Sequence, residues 1–182
     1  IRDSRKPTSF HDAIGDDAYP PAGDRYHLYV SYACPWAHRT LITRALKGLE
    51  HAITVDVVDH YMDEEGWSFF RGDDGATGDR VHGFDRLSEL YYAVEPDYDG
   101  RYTVPVLYDK HSKRIVNNES SEIIRNLDHA LDAYAQRPEL DFYPEALRER
   151  IDAVNEWVYP KLNNGVYRSG FARSQEAVSY TH

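Results

Sequence analysis

At 182 residues, 41% hydrophobic and 13% aromatic, the chain is long enough for one full globular core and part of a second, which excludes disorder throughout and a disulfide-stapled miniprotein. Its 31 acidic against 21 basic side chains leave a formal charge of -10, so binding of nucleic acid or of an anionic membrane through a broad basic surface is not expected. No apolar run approaches the roughly 20 residues that span a bilayer, so membrane insertion is not expected either.

Residues 1–24 mix charge, proline and glycine without a period and read as an extended arm. The amino terminus has no apolar signal segment and begins at Ile1, with Met62 the only methionine; we expect a cytoplasmic protein and a processed or truncated product. From Tyr26, RYHLYVS alternates as a half-buried strand does and runs into ACPWAHRTLITRALKGLE, a helix with Pro35 at its first position and Gly48 near its end. A strand follows at 53–58. Residues 59–84, rich in Asp and Gly, are too polar for core elements and long for a plain connector. A short helix over 85–94, the strands TVPVLYD and RIVN around the charged turn KHSK, and a helix capped by Ser120 or Ser121 and running to about Leu131 complete the order.

Strand, helix, strand, loop, helix, strand, strand, helix is an α/β pattern with one crossover and a terminal hairpin, as in a thioredoxin-like domain over 25–131. Residues 132–144 read as a linker. Residues 145–182, beginning with the amphipathic LRERIDAVNEWVYPKLNNGVY, read as an all-helical domain that stops before it closes, so exposed apolar surface is expected there. The acidity comes from 19 Asp and 12 Glu, with 16 Arg and five Lys, a composition of a salt-adapted surface or simply of colloidal solubility.

One cysteine, Cys34, excludes an intrachain disulfide, a redox pair and a zinc site built on several thiolates, and the nine histidines show no metal-binding spacing, so no metal site is expected. Cys34 falls at a strand-to-helix junction, where the helix dipole and unpaired N–H groups favour an anion, with His38 and Arg39 near enough to assist if they turn back; this predicts a lowered pKa and a reactive thiolate, the alternative being a buried, inert cysteine. Without a second cysteine, a mixed disulfide there needs an external small thiol to resolve it. Thr103-Val104-Pro105, its proline cis or not, reads equally as a docking edge for a peptide-like thiol and as an ordinary strand entry. Glu119 and Ser120, ahead of a helix, are placed to grip the amino and carboxylate ends of a γ-glutamyl group, and ESSE also reads as a plain capping sequence. Arg101 and Trp67 are loop residues that on this reading alone belong to the surface. Tyr167, in NNGVYRSGFA, reads as lying in a glycine-flanked turn, where a phenol is able to donate to a substrate oxygen.

Together RYHLYVSYACPWAHRTLITRALKGLE, GWSFF, GATGD, GRYTVPVLYD, IVNNESSEIIR and NEWVYPKLNNGVYRSGFARSQEA resemble the glutathionyl-hydroquinone reductases, the Xi class of the glutathione transferases, over about residues 25–177. The resemblance implies a thioredoxin-like domain followed by an all-α domain, a homodimer where the full helical domain is present, and reduction of S-conjugated hydroquinones with glutathione as cosubstrate and without a metal. It implies Cys34 as the nucleophile, Trp67, Arg101, Val104 through its backbone, Glu119 and Ser120 as glutathione-binding residues, and Tyr167 as a second catalytic residue beside the hydroquinone. Two departures bear on this. The family's helical domain is longer, which points to a truncation or frameshift; and a salt-adapted source favours γ-glutamylcysteine as cosubstrate, for which Arg101 has no glycine carboxylate to bind. The competing readings are a conjugating glutathione transferase, disfavoured because a cysteine traps the glutathione it should activate, and a non-catalytic remnant that only binds thiol.

Overall fold

The computed structural model describes residues 8–70 and 75–181; the beginning of the expected arm and residues 71–74 of the polar loop lie outside them. The chain divides into two compact units, Lys6–Phe142 and one that contains Tyr143–His182.

In the first unit, β1 (Tyr26–Val30), α1 (Pro35–Lys47), β2 (Ile53–Val57), α2 (Leu87–Val94), β3 (Val106–Asp109), β4 (Arg114–Asn117) and α3 (Ser120–His129) follow in the expected order. The sheet runs β2-β1-β3-β4, with β1 parallel to β2 and antiparallel to β3, and β3 antiparallel to β4. This is the thioredoxin-like α/β arrangement.

The half-buried strand expected from RYHLYVS is a correction: all five residues of β1 are buried. A central strand covered on both faces has no solvent side, and the polar residue in the alternation is held inside by a hydrogen bond at one ring nitrogen and a carboxylate contact at the other. His27 Nδ1 lies 2.7 Å from Thr54 Oγ1 on β2, and Nε2 lies 3.4 Å from Asp56 Oδ2. The bond at Nδ1 and the nearby carboxylate offset part of the cost of burying the ring.

Helix α1 begins with Pro35 and ends on Gly48, whose φ of 67° is left-handed; a Cβ there would stand 2.6 Å from Gln136 Cβ. Lys47, in the last turn, is fully buried. It donates to the Leu140 carbonyl at 2.7 Å and pairs with Asp132 at 2.7 Å and Asp128 at 3.9 Å, which fastens residues 132–140 against α1.

In the second unit, α4 (Arg148–Val158) passes through one π turn at Tyr159–Asn163 into α5 (Asn164–Gly170), followed by α6 (Gln175–Thr181). Tyr143 donates to Asp152 at 2.5 Å, and Arg148 bonds the Tyr143 carbonyl, tying the entry of α4. Tyr167 lies inside α5 rather than in the turn expected of it. Pro160 has no N–H to give the helix, and one widened turn absorbs the break instead of ending the helix. Among the described residues no helix is long and apolar enough to cross a membrane.

Candidate active site

Ser31 ends β1 and builds the turn into α1. Its hydroxyl accepts from the Ala33 N–H at 3.2 Å and donates to the Asp59 carbonyl, while its own carbonyl accepts from the Cys34 N–H at 3.1 Å. Cys34 is thereby delivered to the N-cap of α1, where its side chain caps nothing. Its Sγ points instead to the Val104 carbonyl, 3.6 Å away, across the unit from the loop that precedes β3. The Val104–Pro105 peptide is cis.

That loop is strapped from below. Tyr91, fully buried on α2, donates to the Thr103 carbonyl at 2.9 Å and accepts from the Thr103 N–H and from Asn118 Nδ2. Burial raises the Tyr91 phenol to about 12, so it remains protonated and able to donate. Tyr98 donates to the Arg101 carbonyl at 3.1 Å, and any side chain on Gly100 would strike that hydroxyl at 2.3 Å.

Asn118 Oδ1 in turn accepts from the Ser9 and Phe10 N–H groups, drawing the N-terminal segment onto the same point. Asn117 Oδ1 accepts from the Glu119 N–H at 2.7 Å. Glu119 is the N-cap of α3, its Oε1 accepting from the Ser121 N–H and hydroxyl, so the cap expected of Ser120 or Ser121 belongs to the carboxylate one residue earlier.

Arg39 connects the two helix ends. Its Nη2 and Nε donate to Ser120 Oγ at 2.6 and 3.0 Å, its guanidinium lies 3.6 Å from Glu119 Oε1, and it rests over the Trp36 ring at 5.0 Å. Cys34 and Val104 are thus in direct contact, and Glu119 and Ser120 are coupled to the cysteine's helix through Arg39.

Trp67 is half-buried against the core on the loop between β2 and α2, its carbonyl accepting from the Leu87 N–H at 3.0 Å; Arg101 is exposed on the loop before Val104. Neither bonds Cys34 among the described residues. Tyr167 is half-buried and belongs to the second unit.

The polar loop that carries Trp67 is fixed at both ends. Asp79 accepts from Tyr29 and from the Val81, His82 and Phe84 N–H groups, and Arg86 forks onto Asp63 at 3.0 and 3.1 Å. Asp56, buried on β2, accepts from Arg80 through its backbone and side chain and from Thr77. Burial pushes the Asp56 carboxyl up, but the bonds from His27 and Arg80 overcome it and hold it at about 2.

The lowered pKa expected at Cys34 is a correction. Burial pushes the thiol above its ordinary value and outweighs the Ala37 and Trp36 N–H groups and the charge of Arg39 that favour the thiolate. Arg39 assists electrostatically as anticipated, whereas His38 is exposed. Elsewhere in the unit Asp128, His129 and Asp141 bring one ligand atom each within 4.8 Å of one another, a grouping invisible to spacing because Asp141 arrives on the segment after α3.

Residues 33–130 match the model of the glutathione S-transferase N-terminal domain. The chain belongs to the glutathione S-transferase family. Within it, it stands with the Xi class and the glutathionyl-hydroquinone reductases: it is 52% identical over 173 residues to a glutathionyl-hydroquinone reductase of Sphingobium chlorophenolicum, covering 95% of this chain and 54% of that relative. The glutathione transferase Xi of Phanerochaete chrysosporium superposes with a TM-score of 0.93 at 50% identity, covering 98% of this chain and 61% of the other. A glutathione-bound transferase homologue from Escherichia coli K-12 superposes with a TM-score of 0.86 at 53% identity, over 90% of this chain and 53% of its own. The chain spans about half the length of the curated relatives it matches.

Proposed function

We propose that the protein is a thiol-dependent reductase of glutathionyl-hydroquinones working through a Cys34 mixed disulfide. The observation that carries this reading is the placement of the lone thiol at the head of α1, 3.6 Å from the Val104 carbonyl. The relatives add the substrate: the similar protein of Sphingobium chlorophenolicum is a glutathionyl-hydroquinone reductase.

At rest the thiol is neutral and bonded to Val104. A bound γ-glutamyl thiol pairs its peptide with the Val104 backbone, releases Sγ and leaves it to the Trp36 and Ala37 N–H groups and to Arg39, which stabilise the thiolate. The thiolate attacks the glutathionyl sulfur. A sulfur–sulfur bond forms, the carbon–sulfur bond breaks, and its electron pair stays with the ring, which takes a proton and leaves as hydroquinone. A second glutathione thiolate attacks the mixed disulfide, releasing oxidised glutathione and Cys34.

On this reading Glu119 and Ser120 hold the γ-glutamyl amino and carboxylate groups, Arg101 the glycine carboxylate, and Trp67 covers the thiol ligand. Tyr167 donates to a hydroquinone oxygen. In a cell that uses γ-glutamylcysteine, all but Arg101 keep their roles. We place the enzyme in the cytoplasm as a homodimer, with Tyr143–His182 contributing to an all-helical domain.

The test is Cys34→Ser in the full-length protein, assayed for hydroquinone release and for conjugation of glutathione to an electrophile. Release should fall at least about a thousandfold, as expected for loss of an attacking group. Release surviving in the serine variant, or conjugation as the main activity of the unmodified protein, would overturn the reading in favour of a conjugating transferase.

A further inference from the structure

We infer that Arg39 is a positioning residue that makes Ser120 a committed hydrogen-bond donor for the α-carboxylate of a γ-glutamyl thiol; this deepens the reading above and rests on it. A serine hydroxyl has one hydrogen to give and two lone pairs to receive. Arg39 Nε and Nη2 stand 3.0 and 2.6 Å from Ser120 Oγ and occupy both lone pairs. Among the described residues the Ser120 hydrogen has no acceptor, although the residue is only 4% exposed.

Ser120 is the first residue of the ten-residue helix α3, whose end favours an anion. A charged donor on the oxygen polarises the O–H further toward an acceptor. Two features aim the fork. The guanidinium lies on the Trp36 ring at 5.0 Å, and Glu119 Oε1, 3.6 Å away, is already bonded by the Ser121 N–H and hydroxyl. A lysine has no planar fork to fill both lone pairs. The outcome is a site that discriminates thiols by their α-carboxylate, through a residue on the cysteine's own helix.

The test uses two disulfides as probes of full-length protein, glutathione disulfide and the uncharged 2-hydroxyethyl disulfide. In each case the Cys34 thiolate attacks one sulfur, a mixed disulfide forms and the other half leaves as thiolate, so rates are read by intact mass. The ratio of the two rates cancels any change in thiol reactivity that removal of Arg39 causes. Arg39→Met should lower the preference for glutathione disulfide about tenfold or more, the scale of a hydrogen bond to a charged group. Ser120→Ala should do the same, the double variant should lose no more than either single, and Arg39→Lys should fall between.

An unchanged ratio in Arg39→Met, or losses that multiply in the double variant, would overturn the inference. If Arg39→Met does not fold, Arg39→Lys and Ser120→Ala read the same ratio: unmodified preference in both overturns it equally. Failure of the underlying reading looks different, because then neither disulfide modifies Cys34 in the unmodified protein.

Discussion

The unit around Cys34 and the helical unit that follows it are made from similar proportions of aromatic and charged residues but spend them differently. In the first, polar side chains are buried and paired: His27 with Thr54 and Asp56, Lys47 with Asp132, Asp79 with four donors. In the second, α4 buries no residue, and Val154, Trp157, Leu162 and Phe171 are exposed. The first unit closes its own core, while the second, in a chain that spans about half the length of its relatives, lays its apolar side chains on the surface. The thiol that lies against a backbone carbonyl sits where Ser31, Thr103, Glu119 and Ser120 are each fixed by hydrogen bonds.

The sharpest way to break this comparison is Asp56→Ala, which strips partners from His27, Thr77 and Arg80 at once. It should cost about 1–3 kcal/mol, the range for leaving buried hydrogen-bonding groups without their partner, and a denaturant melt reads it. Acid probes the same groups less severely. The Asp56 and Asp109 carboxyls are both held at about 2 against an ordinary 3.8, the latter against its burial by bonds from Arg25, Ser112 and His111. Their stabilisation is complete above about pH 4 and is lost as pH falls toward 2. Melts across that window should show falling stability, and Asp56→Asn should flatten the fall. The smallest effect belongs to the helical unit: in the 182-residue chain, where Trp157 is 56% exposed, Trp157→Ser should alter stability by less than about 0.5 kcal/mol. A loss comparable with Asp56→Ala would erase the contrast.

Much of the α/β unit was legible because periodicity and punctuation are local. Pro35 and Gly48 bracket α1 where expected, and the hairpin around 110–113 joins the strands it should. What escaped depends on partners distant in sequence. Nothing local marks β1 as buried on both faces, since His27 becomes acceptable only beside Thr54 and Asp56. Tyr91 is one of 15 tyrosines, and its role rests on Thr103 and Asn118.

At the site, the thiol's junction with α1 was readable from residue types, whereas Thr103-Val104-Pro105 read equally as a docking edge and a strand entry, and the approach of Sγ to the Val104 carbonyl was not readable. The pKa was not, because the helix end is visible in sequence and the burial that outweighs it is not. Arg39 was anticipated as a charge near Cys34; its fork onto Ser120 requires knowing that α3 starts beside α1. The paired asparagines ahead of ESSE were the available signal for the anchoring of that helix, since polar residues between strand and cap need partners.

The central claim, that Cys34 takes the glutathionyl group from the substrate, is tested most directly by one measurement. Full-length protein is mixed with a glutathionyl-hydroquinone and no free thiol, its intact mass is recorded, and the adduct is located by peptide mapping. The account predicts a single glutathione on Cys34 with one equivalent of hydroquinone released per adduct. Folded protein that gains no mass, or that carries the adduct elsewhere, would contradict it.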